Sequence, residues 1–400
     1  MALIRTNQQA PITLKLSRDL VRSLKRGHPW VFAEALQSHP QAPRGTPARL
    51  LDKAGRREIA LGFYDPDSPL AFRVCHLNPD QALDDAWAAR QMARAWMLRQ
   101  SLFDEQTTGY RLFNGEGDGL PGLVCDIYGE TAVIRLDGEA PTAFWDTGAI
   151  AEWVADTLAL RCIYERKRVH GKATGRLLMG SLPTSSASFL ENGIQFTADI
   201  VYGQKTGFFL DQRQNRQQIG RLAADKRVLN VFGYTGGFSV YAGLGGAEHV
   251  TTVDSARPAL NTADYHWQLN RLSSKKHATV AVDAFSFLVE MVQEGRQWDL
   301  VIIDPPSFAP SKKSTPKALA SYRNLAAAGA AITKPDGLLA MASCSSHVDL
   351  ATFLDVCEEG VSKSRRRATI LSISGQPPDH PAPLVAPELR YLKFVLMRID

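Results

Sequence analysis

Four hundred residues exceed what one ordinary hydrophobic core organises, so two or three domains are expected. With 44% apolar and 22% charged residues, no run near the roughly 18 apolar residues of a membrane span, no apolar signal core at the N-terminus and five scattered cysteines, the sequence reads as a globular, cytoplasmic protein without disulfides or bound metal. The net charge of +5 lies at one end, since residues 1–80 hold 12 Lys/Arg against 7 Asp/Glu; this suits a polyanionic partner such as nucleic acid, or is chance clustering on a solvated surface.

Residues 1 to about 80 carry short alternating runs (TLKL, ARLLD, LAFRVCHL) broken by Gly and Pro, which predicts a small β-rich fold. Residues 82–106 lack Gly and Pro and read as one helix. From about 109 to 190 the order reads strand YRLFNGE, strand LVCDIY, strand TAVIRL, helix FWDTGAIAEWVADTL, strand CIYERK. The stretch HGKATGRLLMGSLPTSSAS then reads as loop or weak hairpin, and GIQFTADIV leads onward.

From about residue 227 strands and helices alternate. The runs RVLNVF, HVTTVD, ATVAVDAF, DLVIID and GLLAMASC are separated by helix-length segments, which implies a parallel sheet covered on both faces. ATILSIS and RYLKFVLMRI close the chain, the last suiting a strand inserted antiparallel.

Chemistry gathers at the strand ends. After RVLNVF come Phe232, Gly233, Tyr234, Thr235, Gly236 and a helix. Such a turn lets backbone approach a ligand beside the helix N–H donors, and its spacing, unlike G-x-G-x-x-G, favours S-adenosylmethionine over a dinucleotide. The next strand ends in Asp254, placed to accept the ribose hydroxyls of an adenosine ligand or to cap the helix ARPALNTAD. Asp283 follows the third strand and suits an adenine amine.

The fourth strand ends in Asp304, Pro305, Pro306, Ser307 and Phe308, a stiff acidic turn able to hold the polar edge of a base, with Phe308 to stack or to pack. The fifth ends at Cys344, a nucleophile or a small buried hydrophobe. Cys357, within a helix-like run, reads as core.

Upstream, residues 201–216 mix Lys205, Asp211, Arg213 and Arg216 with Phe208 and Phe209, for contact with cofactor or base, or as an amphipathic helix start. Near the N-terminus, Lys25 and Arg26 precede Gly27, His28, Pro29 and Trp30; the cations suit RNA, and Trp30 suits a buried turn. The run KSRRR (363–367) is a phosphate contact or merely solvated.

Taken together, RGHPWVF, GDGLPGLVCDIYG, KTGFFLDQR, NVFGYTGGF, DPPSF, SCS and the late DHP…LRYLKF resemble the RlmI-like family of large-subunit (23S) ribosomal RNA cytosine-5 methyltransferases, over nearly the whole chain. The resemblance implies an α/β architecture in three parts. Residues 1–80 would be a β-rich PUA-like RNA-binding domain, 81–190 a linker helix with a small central α/β domain, and 191–400 a Rossmann-like, seven-stranded class I methyltransferase domain using S-adenosylmethionine. It implies Cys344 as nucleophile and Asp304 as its base-binding partner. Phe209, Asp211, residues 232–236, Asp254, Asp283 and Asp304 would hold cofactor, and Lys25, Arg26, Lys205, Phe208, Arg213 and Phe308 would meet RNA. Pro306 stands where other RNA cytosine-5 methyltransferases carry a second cysteine, so product release would not use a second thiol. The sister guanine-N7 domain lacks the SCS cysteine. The implied partner is large-subunit ribosomal RNA before or during assembly, with a homodimer left open. Methylation of guanine N7 or an exocyclic amine, or a noncatalytic RNA-binding assembly factor, are the competing readings.

Overall fold

The computed structural model describes residues 2–5, 10–78, 80–169, 172–183, 186–309 and 311–400. The chain forms two compact units, 1–210 with 378–387, and 211–377 with 388–400.

The first unit begins with β1 (Ile12–Lys15), α1 (Val21–Lys25), β2 (Trp30–Val31), β3 (Thr46–Leu51), β4 (Glu58–Tyr64) and β5 (Phe72–His76), a sheet ordered β1-β3-β4-β5-β2. Leu14, Leu50, Ala60, Tyr64 and Phe72 fill its core. Trp30 departs from the expected buried turn: it is half-buried, and its Nε1 donates to Glu116 Oε1 at 2.9 Å because the indole needs a polar partner. Helix α2 (Asp85–Leu102) starts where the Asp84 carboxylate accepts from Trp87 N at 2.7 Å.

A second sheet follows, built from β6 (Gly109–Asn114), β7 (Leu123–Tyr128), β8 (Thr131–Leu136), β9 (Cys162–Val169) and β10 (Lys172–Gly180) in the order β10-β9-β8-β7-β6. The helix expected over 144–158 forms as α4 (Thr147–Thr157), starting later because the Asp146 side chain caps it through Gly148 N and Ala149 N, and a short helix α3 (Glu139–Phe144) precedes it. In the stretch expected to be loop or weak hairpin, the hairpin forms: β10 runs antiparallel to β9, where Arg176 pairs with the buried Glu165. Its residues 170, 171, 184 and 185 lie outside the described residues. A hairpin, β11 (Ala187–Glu191) and β12 (Ile194–Ala198), completes the unit.

The second unit alternates as its periodicity implies: α5 (Arg213–Arg221), β13 (Arg227–Val231), α6 (Gly237–Leu244), β14 (His249–Asp254), α7 (Arg257–Leu269), β15 (His277–Ala281) and α8 (Ala284–Gln293). Then come β16 (Trp298–Ile303), α9 (Thr315–Ile332), β17 (Thr333–Ser343), α10 (Leu350–Lys363), β18 (Ala368–Ser374) and β19 (Lys393–Ile399). The sheet order is β15-β14-β13-β16-β17-β19-β18, parallel except for β19, which lies antiparallel between β17 and β18. Apolar side chains cover both faces, Val231, Ile303 and Met341 on one, Val228, Leu300 and Phe394 on the other. Val231 pairs with Val253 and with Ile303, and Ile303 with Met341, so these strands end level along one edge.

Candidate active site

Strand order reverses between β13 and β16, and ligands of open α/β sheets bind outside the carboxyl ends of the strands at such a point. The turn leaving β13 is strained: Phe232 and Tyr234 adopt φ of +60° and +46°, in a region bulky residues avoid. Gly236 has φ of +74°, and a Cβ on it would lie 2.7 Å from that of Ala263, so only glycine fits. Four contacts hold the turn in this shape. Gly233 N donates to Val253 O at 2.9 Å, and Gly236 N to Gly233 O at 2.8 Å. Tyr234 N donates to Asp254 Oδ2 at 2.9 Å, and Thr235 O meets Nδ1 of the buried His266 at 2.9 Å.

Below the turn runs a polar chain from Asn230 Nδ2 to Ser239 Oγ (2.9 Å), Thr252 Oγ1 (2.7 Å) and His277 Nε2 (2.8 Å). Burial pushes His277 down to about 4, against the pull of Asp264, so the imidazole is neutral near pH 7 and serves as a hydrogen-bonding group. Asp254 does not cap α7, whose cap is Ala256. Its Oδ1 instead accepts from Ala256 N at 2.9 Å, leaving each carboxylate oxygen with one backbone donor and one further acceptor position.

After β16, the Asp304 Oδ2 accepts from Gln212 Nε2 at 2.9 Å, and Gln212 Oε1 accepts from Asn215 Nδ2 at 2.5 Å. After β17, Cys344 is partly exposed and lies between two fully buried serines. Ser343 Oγ donates to the Tyr322 hydroxyl at 2.9 Å, and that hydroxyl shares a hydrogen bond with Ser345 Oγ at 3.0 Å. Ser345 Oγ reaches Ser307 Oγ at 3.2 Å and accepts from Ala309 N at 3.3 Å. One buried tyrosine therefore fixes the cysteine loop, and the cysteine loop is tied to the Asp-Pro-Pro loop.

A family model for S-adenosylmethionine-dependent methyltransferases matches residues 146–392, and one for PUA-like domains matches 14–76. A ribosomal RNA large subunit methyltransferase of Deinococcus radiodurans is 39% identical, over 97% of this chain and 98% of its own. Ribosomal RNA large subunit methyltransferase I of Tolumonas auensis is 34% identical, over 96% of this chain and 99% of its own. The chain belongs to this methyltransferase I family. A solved S-adenosylmethionine-dependent methyltransferase of Streptococcus mutans shares the fold, with TM-score 0.84 at 24% identity over 97% of this chain and 100% of that one.

The cofactor of this methyltransferase is S-adenosylmethionine. The two acceptor positions left on Asp254 fit a pair of ribose hydroxyls, beside a turn whose shape is fixed by hydrogen bonds. Asp283 caps α8 through Ser286 N at 2.9 Å. Asp211 is 2% exposed and accepts from the Tyr391 hydroxyl at 2.7 Å.

Three expectations about the remaining residues change. Phe208 cannot meet RNA: it is 3% exposed, its ring 5.1 Å from both Phe189 and Phe196 in the first unit. Arg213 is likewise 3% exposed, which removes it as a surface cation. In KSRRR, Arg366 has a structural role, donating to Ala330 O (3.3 Å), Thr333 O (3.0 Å) and Asp400 O (2.7 Å). Phe308 is half-buried, 5.2 Å from the Tyr322 ring. In the first unit Lys205 Nζ sits 4.5 Å over the Phe209 ring. Lys25 and Arg26 are exposed and, with Arg22, Lys53 and Arg57 against Asp19 and Asp52, line a concavity of about 830 Å³.

Sequence reasoning missed Gln212, Tyr322, His266 and Lys393. The signal for Lys393 was present, since a lysine opening the otherwise apolar run KFVLM must be buried with partners.

Proposed function

We propose that this methyltransferase forms 5-methylcytosine in large-subunit ribosomal RNA through a transient bond between Cys344 Sγ and carbon 6 of the base. The observation that carries the reading is a partly exposed cysteine at the ligand-binding edge of the sheet, one strand from Asp304 and held in a buried serine–tyrosine network. Carbon 5 of cytosine is a poor nucleophile; thiolate addition at carbon 6 moves electron density onto it. Asp304, oriented by Gln212, would accept from the cytosine amine and hold the ring for that addition. When bound, S-adenosylmethionine supplies an electrophilic methyl group. Loss of the carbon-5 proton and departure of the Cys344 thiolate then restore the ring.

Residues 232–236, Asp254 and Asp283 would seat the cofactor, and the basic concavity around Lys25 and Arg26 would take RNA phosphates. We assign the RNA-binding part to 1–80 and the central part to 81–190, and, within the expected 191–400, the catalytic part to the second unit, 211–377 with 388–400. The relatives are named for large-subunit ribosomal RNA, which supports that substrate here.

Cys344→Ser replaces the thiolate with a far less acidic hydroxyl, so methyl transfer should collapse while cofactor binding survives. RNA carrying 5-fluorocytosine should trap the wild-type protein as an adduct seen by mass, because fluorine cannot leave as a cation. Cys357→Ser, a change in the core, should alter neither result. Methyl transfer by folded Cys344→Ser near the wild-type rate would exclude the thiol route and favour a nitrogen acceptor.

A further inference from the structure

Lys393 opens β19 directly opposite Ser343, the residue before Cys344. It is 5% exposed, and its Nζ donates to Ser345 O and to Tyr391 O, each at 2.7 Å. Two neutral carbonyls satisfy two of the three ammonium N–H groups, but they do not neutralise the charge. Burial disfavours a charged lysine and pushes Lys393 down to about 8, while Cys344 and Asp349 act in the opposite direction as the anionic groups that sustain it. Asp349 already caps α10, its Oδ1 accepting from Thr352 N at 2.8 Å. Among the described residues, the Cys344 thiolate is the other negative charge that favours the ammonium.

We propose that Lys393 is the positioning residue of Cys344: its buried ammonium clamps the Cys344–Ser345 turn through the Ser345 carbonyl and favours the thiolate over the thiol. On ionisation the thiol proton goes to solvent, and below about pH 8 the ammonium keeps its three hydrogens, so no proton is exchanged between the two groups. Among the described residues, the Tyr322 hydroxyl from α9, whose own ionisation burial opposes, feels both Cys344 and Asp304 from the end of β16. Both carboxylates, Asp304 and Asp349, work against a thiolate. Lys393 is a cation, from β19, that offsets them.

The inference rests on Cys344 being the nucleophile, and its test is independent of methyl transfer. The rate of Cys344 alkylation by iodoacetamide, read on the Cys344 peptide by mass, is followed from pH 6 to 10 in full-length protein. The wild-type midpoint should fall below the ordinary thiol value of about 8.5. Lys393→Met should raise it by about one to three pH units, as expected on losing an opposite charge at close range. Lys393→Arg, which keeps the charge, should stay near wild type. A residue that only braced the fold would lower the melting temperature in Lys393→Met without moving the midpoint. That result, or a wild-type midpoint at or above 8.5, would overturn the proposal. Should Lys393→Met fail to fold, the wild-type and Lys393→Arg midpoints decide, and an Arg variant titrating as an ordinary thiol counts against it. Full activity of Cys344→Ser would instead remove the nucleophile assignment and leave the measured midpoints standing.

Discussion

Tyr322→Phe removes one oxygen atom from a fully buried site and leaves the ring packed 5.3 Å from Phe353 and 5.2 Å from Phe308. No cavity of consequence opens, so the cost is that of the hydroxyl's two hydrogen bonds, to Ser343 and Ser345. Neither serine is orphaned, since Ser343 Oγ still accepts from Ser345 N at 3.3 Å and Ser345 Oγ keeps Ser307 and Ala309. At about 0.5–1.5 kcal/mol net per bond, the loss should be about 1–3 kcal/mol. Urea denaturation should therefore show a lower midpoint with an unchanged slope. Cofactor affinity, which we assign to the β13 and β14 ends, should hold in calorimetry, while methyl transfer in a single-turnover assay falls because the Cys344 loop is no longer fixed. Wild-type stability together with wild-type turnover would refute the role given to this network. A parallel loss of cofactor binding would mean that the network supports the whole sheet edge instead of the cysteine loop.

Two further outcomes can be checked directly. Asp254→Ala should weaken S-adenosylmethionine binding by roughly a hundredfold or more in calorimetry, because hydrogen bonds to a charged acceptor contribute about 1.5–3 kcal/mol each, and unchanged affinity would remove Asp254 from the cofactor site. Replacing Lys25 and Arg26 together with Ala should leave cofactor affinity intact and flatten the salt dependence of RNA binding by roughly 1.4 in the log–log slope, about 0.7 for each lost phosphate contact; an unchanged slope would place the RNA elsewhere.

The sheet of the second unit was legible because each of its strands is a compact apolar run, and the candidate residues Gly233, Asp254, Asp304 and Cys344 stand at or just beyond the carboxyl ends of those runs. Residues acting through buried polar contacts were not legible. Tyr322 lies in α9 and Lys393 in β19, far along the chain from Cys344, and periodicity reports which face of an element is apolar but not which polar groups meet beneath it. The same blindness made Phe208 and Arg213 look available. An adjacent aromatic–cation pattern reads alike whether it faces solvent or the core, and Phe208 is claimed by the β11–β12 hairpin. Strand β10 was hidden by its glycines and polar residues, since its pairing with β9 comes from backbone register rather than from an apolar alternation.

Residues 378–387 interrupt the second unit in sequence and fold with the first. There the Asp379 carbonyl accepts from Arg99 Nη2 at 2.9 Å, and its carboxylate from Arg111 N at 2.9 Å. Arg99 is 1% exposed and also grips Asp118 through both carboxylate oxygens, at 2.6 and 2.7 Å. A piece ending at residue 210 would lack Asp379, leaving donors of Arg99 and Arg111 unsatisfied in the interior at a cost of about 1–3 kcal/mol each. The first unit is therefore not a cassette that residues 1–210 can supply alone: ten residues from far along the sequence must travel with it.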